Sequence, residues 1–280
     1  MGVPALVVGE RRSRRATTPG LRVRELALPF ALLLGLAGAV WGSHVVNGSF
    51  YWADDWYHAR LYLFSDGHGL LANQNAHTSR FEPVLGVLLA LPYRLFGLRT
   101  ELHLVLAIVL SAGAAVAFYW LLRTLGLARR HAGAMATLAL LFPWADSSRL
   151  WAAASINNVA VICLFAGLVL SLRGLDATGR RATVLALGGT TLYVLGILTY
   201  VVVGGVVLAT VLVYAWWSGP RRALRRWALD LAAVIPALVY VWNRQPPHHT
   251  DNPSVREQLG HAGRITTGAV SYTHLTLPTN

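Results

Sequence analysis

Lysine is absent from all 280 residues, and cysteine occurs once, at Cys163. Without lysine the chain has no phosphate-binding loop of the nucleotide-hydrolase type, which needs that amine. A glycine-rich dinucleotide fingerprint and a serine-nucleophile elbow are missing as well. A single thiol excludes any disulfide within the chain, and its place inside an apolar run makes Cys163 a core thiol. Charge is scarce too: 13% of the residues are charged, against about a quarter in soluble domains. With 55% hydrophobic residues and a mean hydropathy of +0.50, this excludes an ordinary water-soluble domain and predicts an all-α, polytopic transmembrane helical bundle.

What charge there is has one dominant sign. The formal net charge is +12. The arginines lie in short clusters between apolar runs rather than on one basic face, so the pattern fits the positive-inside rule and not nucleic-acid binding. The dominance of Ala, Gly, Leu, Val and Arg fits a GC-rich bacterial genome. No signal-peptide cleavage pattern precedes the first apolar run, and residues 1–25 read as a basic cytoplasmic tail.

A spanning helix needs about 20 apolar residues. The expected spans are 26–46, 102–122, 132–144, 152–172, 182–198, 200–217 and 227–242, with the long run of the fifth and sixth split near Thr199. An eighth apolar stretch, 84–91, is bounded by Pro83 and Pro92 and is too short to cross alone. If it lies flat, the clusters Arg123/Arg129/Arg130, Arg173/Arg180/Arg181 and Arg221/Arg222/Arg225/Arg226 all fall on the side of the N-terminal tail. If it spans, each of them flips outward, against the positive-inside rule. The expectation is therefore seven spanning helices plus a juxtamembrane helix near 82–95. The first outer loop is 47–101, within a transmembrane core of 26–245.

Beyond the core, 246–269 is expected to be an outer loop. The stretch "VSYTHLTLPTN" (270–280) matches the translation of a transposon mosaic-end adapter used in sequencing libraries. It is expected to be foreign to the natural protein, making the chain an N-terminal fragment.

Under this topology the outer side collects Asp54, Asp55, His58, Asp66, His68, His77, Arg80, Glu82, Asp146 and Arg149. In "SFYWADDWYHARL" (49–61), Asp54 and Asp55 stand where a helix starting at Trp56 would take an N-cap. One acid suffices for capping. Two adjacent acids repel, which raises one pKa and suits a proton acceptor. His58 lies four residues from Asp54, on the same helical face. Asp146 and Arg149 read either as a local ion pair or as groups facing the same cleft, where an arginine fork suits a phosphate. Asn157 and Asn158 read as interhelical hydrogen-bonding groups or as site residues. Asp54, Asp55, His58, His68 and Glu82 are adequate ligand types for a divalent metal ion, without a diagnostic spacing.

These residues together resemble the GT-C superfamily of membrane glycosyltransferases, which includes protein O-mannosyltransferases and the aminoarabinose transferase of lipid A. The likeness covers about residues 24–245. "ADDWYHARL" (53–61) occupies the place of the family's acidic pair, at the opening of a large outer loop. "RFEPVLGVLLALPYRLFG" (80–97) is similar to its proline-containing juxtamembrane helix, with Glu82-Pro83 in place of His-Pro. "FYWLLRTLGLARRHAGA" (118–134) and "PWADSSRLW" (143–151) are similar to a basic inner loop and to the second outer loop. Asn157 and Asn158 stand near where many relatives carry an aspartate.

The resemblance implies transfer of a sugar from a polyprenyl-phosphate donor to an extracytoplasmic acceptor. Asp55, with Asp54 as the other candidate, would be the catalytic base that takes the proton from the acceptor hydroxyl. His58, Arg80, Glu82, Asp146 and Arg149 would contact substrate, in a bacterial inner membrane. The alternative is a non-catalytic polytopic membrane protein, either a transporter or flippase or an assembly subunit.

Overall fold

Ten helices account for nearly all of residues 24–47, 54–64, 82–142 and 150–244, the parts of the chain described by the computed structural model. They are α1 (Arg24–Val46), α2 (Asp54–Phe64), α3 (Pro83–Phe96), α4 (Thr100–Thr124), α5 (Arg129–Leu141), α6 (Ala152–Ser155), α7 (Asn157–Asp176), α8 (Gly179–Thr199), α9 (Val203–Ser218) and α10 (Pro220–Arg244). No strand occurs among the described residues. Residues 1–23 of the expected tail 1–25, and everything from 245 onward, including 246–269 and 270–280, lie outside them.

Among the described residues, four helical stretches are long and apolar enough to cross a membrane: Glu25–Val46, Thr100–Thr124, Ala152–Asp176 and Gly179–Thr199. With them, the chain has the helices of a membrane protein. Three other expected spans are helical but fall short of that measure. α5 has 13 residues and α9 has 16, about 20 and 24 Å at 1.5 Å per residue. α10 has 25 residues but is interrupted by Arg221, Arg222, Arg225, Arg226 and Asp230.

Glycine and proline set the boundaries. Gly219 ends α9 with φ 86°, a left-handed conformation that costs glycine little, and Pro220 opens α10 where its missing N–H is harmless. Pro83 likewise opens α3, and Gly97 closes it.

Two packed groups share α4. Leu33, Ala37 and Trp41 of α1 pack on Ile108, Ala115, Tyr119 and Leu122 of α4 and on Ala132, Ala136 and Leu140 of α5. The larger group packs α7, α8, α9 and α10 around Leu168, Leu172, Tyr193, Ile197, Val207, Tyr214 and Val234. α7 and α8 approach closely at Gly167 and Gly189. A methyl group on Gly189 would sit 2.8 Å from the Gly167 carbonyl oxygen, and one on Gly167 would sit 2.9 Å from the Tyr193 ring. Only hydrogen at these positions permits the crossing.

Hairpins give the molecule two chemically different ends. Arg173, near the end of α7, lies 5.2 Å over the Trp120 ring of α4, and Trp217 of α9 donates to Asp176. The α4–α5, α7–α8 and α9–α10 turns therefore gather at one end, together with the arginine clusters. α2, α3, α6 and the 199–203 break meet at the opposite end.

Candidate functional site

The end opposite the arginine clusters holds two buried carboxylates, one engaged with the start of α6 and the other with the α8–α9 break. Asp55 is 1% exposed, and its Oδ1 accepts the Ala153 N–H at 2.7 Å. Ala153 lies in the first turn of α6, whose N-cap residue Trp151 supplies no side-chain bond. The first N–H groups of a helix have no partner inside it, and a carboxylate there also meets the positive end of the helix dipole. Asp55 is thus a capping group delivered across the fold. Asp54 and Asp55 are both helical residues of α2, so the described helix extends two residues before Trp56. Tyr93 of α3 donates its hydroxyl to the Asp55 backbone carbonyl at 3.0 Å. The His103 ring lies 4.5 Å from the Tyr93 ring, and His103 Nε2 donates to the Gly97 carbonyl at 3.0 Å. His103 thereby ties the α3–α4 turn beneath α2.

Glu82 makes the second such contact. It is 4% exposed, and its Oε1 accepts the Val201 N–H at 2.9 Å. Val201 lies in the three-residue break between α8 and α9, where the helical ladder is interrupted. Burial pushes the Glu82 carboxyl above its ordinary value, and the Val201 N–H pulls part of the way back.

The other residues expected at the site divide into described and undescribed ones. His58 is half-buried on α2, edge-on to the Tyr57 ring at 5.4 Å. Asp54 is described in its backbone only, and Arg80, Asp146 and Arg149 lie outside the described residues. Asn158 is buried and donates to Ser111 of α4 at 3.3 Å, an interhelical bond between α7 and α4. Among the described residues no group of three or more His, Cys, Asp or Glu stands close enough together to hold a metal ion.

The structure also contains a polar cluster that the sequence reading missed. Arg226 and Asp230 of α10 form an ion pair at 2.8 Å, 5% and 1% exposed. Asp230 accepts Thr190 Oγ1 at 2.6 Å and the Tyr214 hydroxyl at 2.9 Å. With its proton committed to Asp230, Tyr214 accepts from the Tyr193 hydroxyl at 2.8 Å. Arg226 Nη2 reaches Ser171 Oγ at 2.9 Å and both the Ala186 carbonyl and Thr190 Oγ1 at 3.0 Å. Its Nε is buried with no acceptor. Four helices meet there, about 9–15 Å along α10 from Pro220. The sequence offered one signal: a single acid, Asp230, inside an expected apolar span, with an arginine one turn earlier.

The chain matches no protein-family model, no curated protein and no solved structure.

Proposed function

We propose that the chain is a polytopic membrane glycosyltransferase of the GT-C type, moving a sugar from a polyprenyl-phosphate-linked donor to an extracytoplasmic lipid, glycan or protein acceptor. The arginine-rich end faces the cytoplasm of a bacterial cell, and the carboxylate end faces outward. The observation that carries the reading is the burial of Asp55 where α2, α3 and α6 meet, at the end lacking the arginine clusters. Nucleotide sugars are cytoplasmic, so an outward site takes its sugar from a lipid carrier.

The spanning count of seven belongs to the same proposal. α10 supports it despite its charges. Its buried face carries Ala223, Arg226, Asp230, Val234, Ala237 and Val241, while Leu224, Leu229, Ile235, Val239 and Trp242 are exposed. Between the exposed arginines of its first two turns and Arg244, α10 carries its ionic groups inside and its apolar groups outside, which inverts the arrangement of a water-soluble helix and fits a lipid surround.

In the proposed reaction the acceptor hydroxyl attacks the anomeric carbon. Its proton passes to Asp55, with Asp54 as the other candidate. The new glycosidic bond forms as the bond to the phosphate oxygen breaks, and that oxygen leaves with the electron pair. Arg80 or Arg149 stabilises the departing phosphate, while His58, Glu82 and Asp146 orient the substrates. The burial of Asp55 requires α2 to lift from α6 before the acceptor enters.

A second reading has a specific observation in its favour. Asp55 holds the start of α6 and Glu82 the α8–α9 break, as they would in a non-catalytic transporter, flippase or assembly subunit of this fold. The test uses full-length protein in liposomes, with a panel of polyprenyl-phosphate-linked hexoses and pentoses. Asp55→Asn keeps an acceptor for Ala153 but removes the base. The transferase reading expects wild-type transfer and a loss of at least about 100-fold in this variant. Undiminished transfer in both Asp54→Asn and Asp55→Asn sinks the mechanism, and absence of transfer from every donor favours the second reading.

A further inference from the structure

A charged helix that turns its charges toward its neighbours depends on those neighbours. α10 is the case at hand. It is long enough to cross a bilayer, about 37 Å, yet it is missing from the helices that are apolar enough to do so unaided. Its charge burden has two parts. Arg221, Arg222 and Arg225 lie in the first two turns at the basic end and are exposed, where headgroups and water take them. Arg226 and Asp230 lie deeper and are buried, and water does not reach them.

Their polar partners come from other helices: Ser171 of α7, Ala186 and Thr190 of α8, and Tyr214 of α9. Within α10 the i,i+4 pair cancels net charge, but one contact leaves most of the hydrogen-bonding capacity of a guanidinium and a carboxylate unused. The neighbouring helices take up that remainder. The outer face of α10 gives no competing polar contact there, since Leu224, Ala228 and Leu229 are exposed.

We propose that α10 is a conditional span: carrying Arg226 and Asp230, it crosses the membrane only while the two are paired with each other and seated against Ser171, Thr190 and Tyr214. The proposal rests on reading α10 as a span. It is independent of any transferase activity.

The test reads the side of the membrane reached by the far end of α10 in the full chain. Cys163→Ala removes the one native thiol. Asn243→Cys then probes the far end and Arg222→Cys, in a separate chain, the near end; both positions are exposed. A membrane-impermeant maleimide is applied to right-side-out and inverted vesicles. In the parent the two probes label from opposite sides. In Asp230→Leu, which strands Arg226, far-side labelling of the Asn243→Cys probe falls at least about threefold. Adding Arg226→Leu to that variant restores it, because the helix then needs no polar partner. The triple change Ser171→Ala, Thr190→Val, Tyr214→Phe lowers far-side labelling, and the Arg226→Leu/Asp230→Leu pair restores it there too.

Unchanged labelling in Asp230→Leu or in the triple variant overturns the proposal. So does a double-leucine variant as deficient as the single one. Labelling of both parent probes from one side refutes the span reading itself, whereas a normal parent with insensitive variants refutes only the conditional span.

Discussion

Asp55 Oδ1 and the Ala153 N–H lie 2.7 Å apart across 98 positions of sequence. The bond fastens α2 to the start of the α6–α7 stretch, and through Tyr93 the same residue is fastened to α3. One residue therefore holds three helices, and its replacement has separable effects on stability and on chemistry.

Asp55→Ala removes the cap and leaves the Ala153 amide buried without its acceptor. The expected loss is about 1–2 kcal/mol, and Asp55→Asn should lose less than half of that because its side-chain oxygen still accepts. Thermal unfolding of the detergent-solubilised protein measures both. Equal destabilisation by the two variants would mean that charge at the helix start matters more than the hydrogen bond.

Glu82 makes stability depend on pH. Its folded pKa lies above its unfolded value, so the folded state binds the proton more tightly. The associated stabilisation is fully present below the unfolded pKa and is lost as pH rises through the folded one. The melting temperature should therefore fall as pH rises from about 4 toward 7, and Glu82→Gln should flatten that component while keeping an acceptor for Val201. A profile with the same slope in both proteins would assign the effect to other groups.

Gly189→Leu should be among the most damaging single changes in the chain. Its first side-chain carbon would press on the Gly167 carbonyl oxygen, which is helix backbone and cannot rotate aside. Overpacking of this kind costs about 1–3 kcal/mol or more. Gly35→Leu is the control, because nothing lies within 4 Å of the added carbon there. Melting curves of the two variants should differ clearly, and equal curves would show that α7 and α8 can slide apart at little cost.

Tyr214→Phe deletes a donor to the buried Asp230 carboxylate, whereas Tyr193→Phe deletes a donor to the neutral Tyr214 hydroxyl. The first should cost about 1–3 kcal/mol and the second about 0.5–1.5. Denaturant titration of the two variants gives the ranking, and the reverse order would mean that Asp230 draws its stabilisation from Arg226 and Thr190 alone.

The helices were legible where length and hydropathy act together. α1, α4, α7 and α8 follow the apolar runs, and the long run breaks after Thr199, at the expected division. What the carboxylates do was not legible. Asp55 and Glu82 bond to backbone amides at Ala153 and Val201, and a backbone amide leaves no trace in residue type. Arg226 read as one more loop arginine beside Arg225, since composition does not say which of two neighbours turns inward. Only the four-residue spacing to Asp230 held that information.

The tight crossing at Gly167 and Gly189 also bears on the order of events during synthesis. α7 and α8 are joined by two residues, Ala177 and Thr178, so their contacts close almost no loop and form quickly. Both leave the ribosome before α9 and α10 do. The hairpin is then a finished template, with Ser171 and Thr190 already in place, when the most charged helix of the chain arrives in search of somewhere to put its arginine and its aspartate.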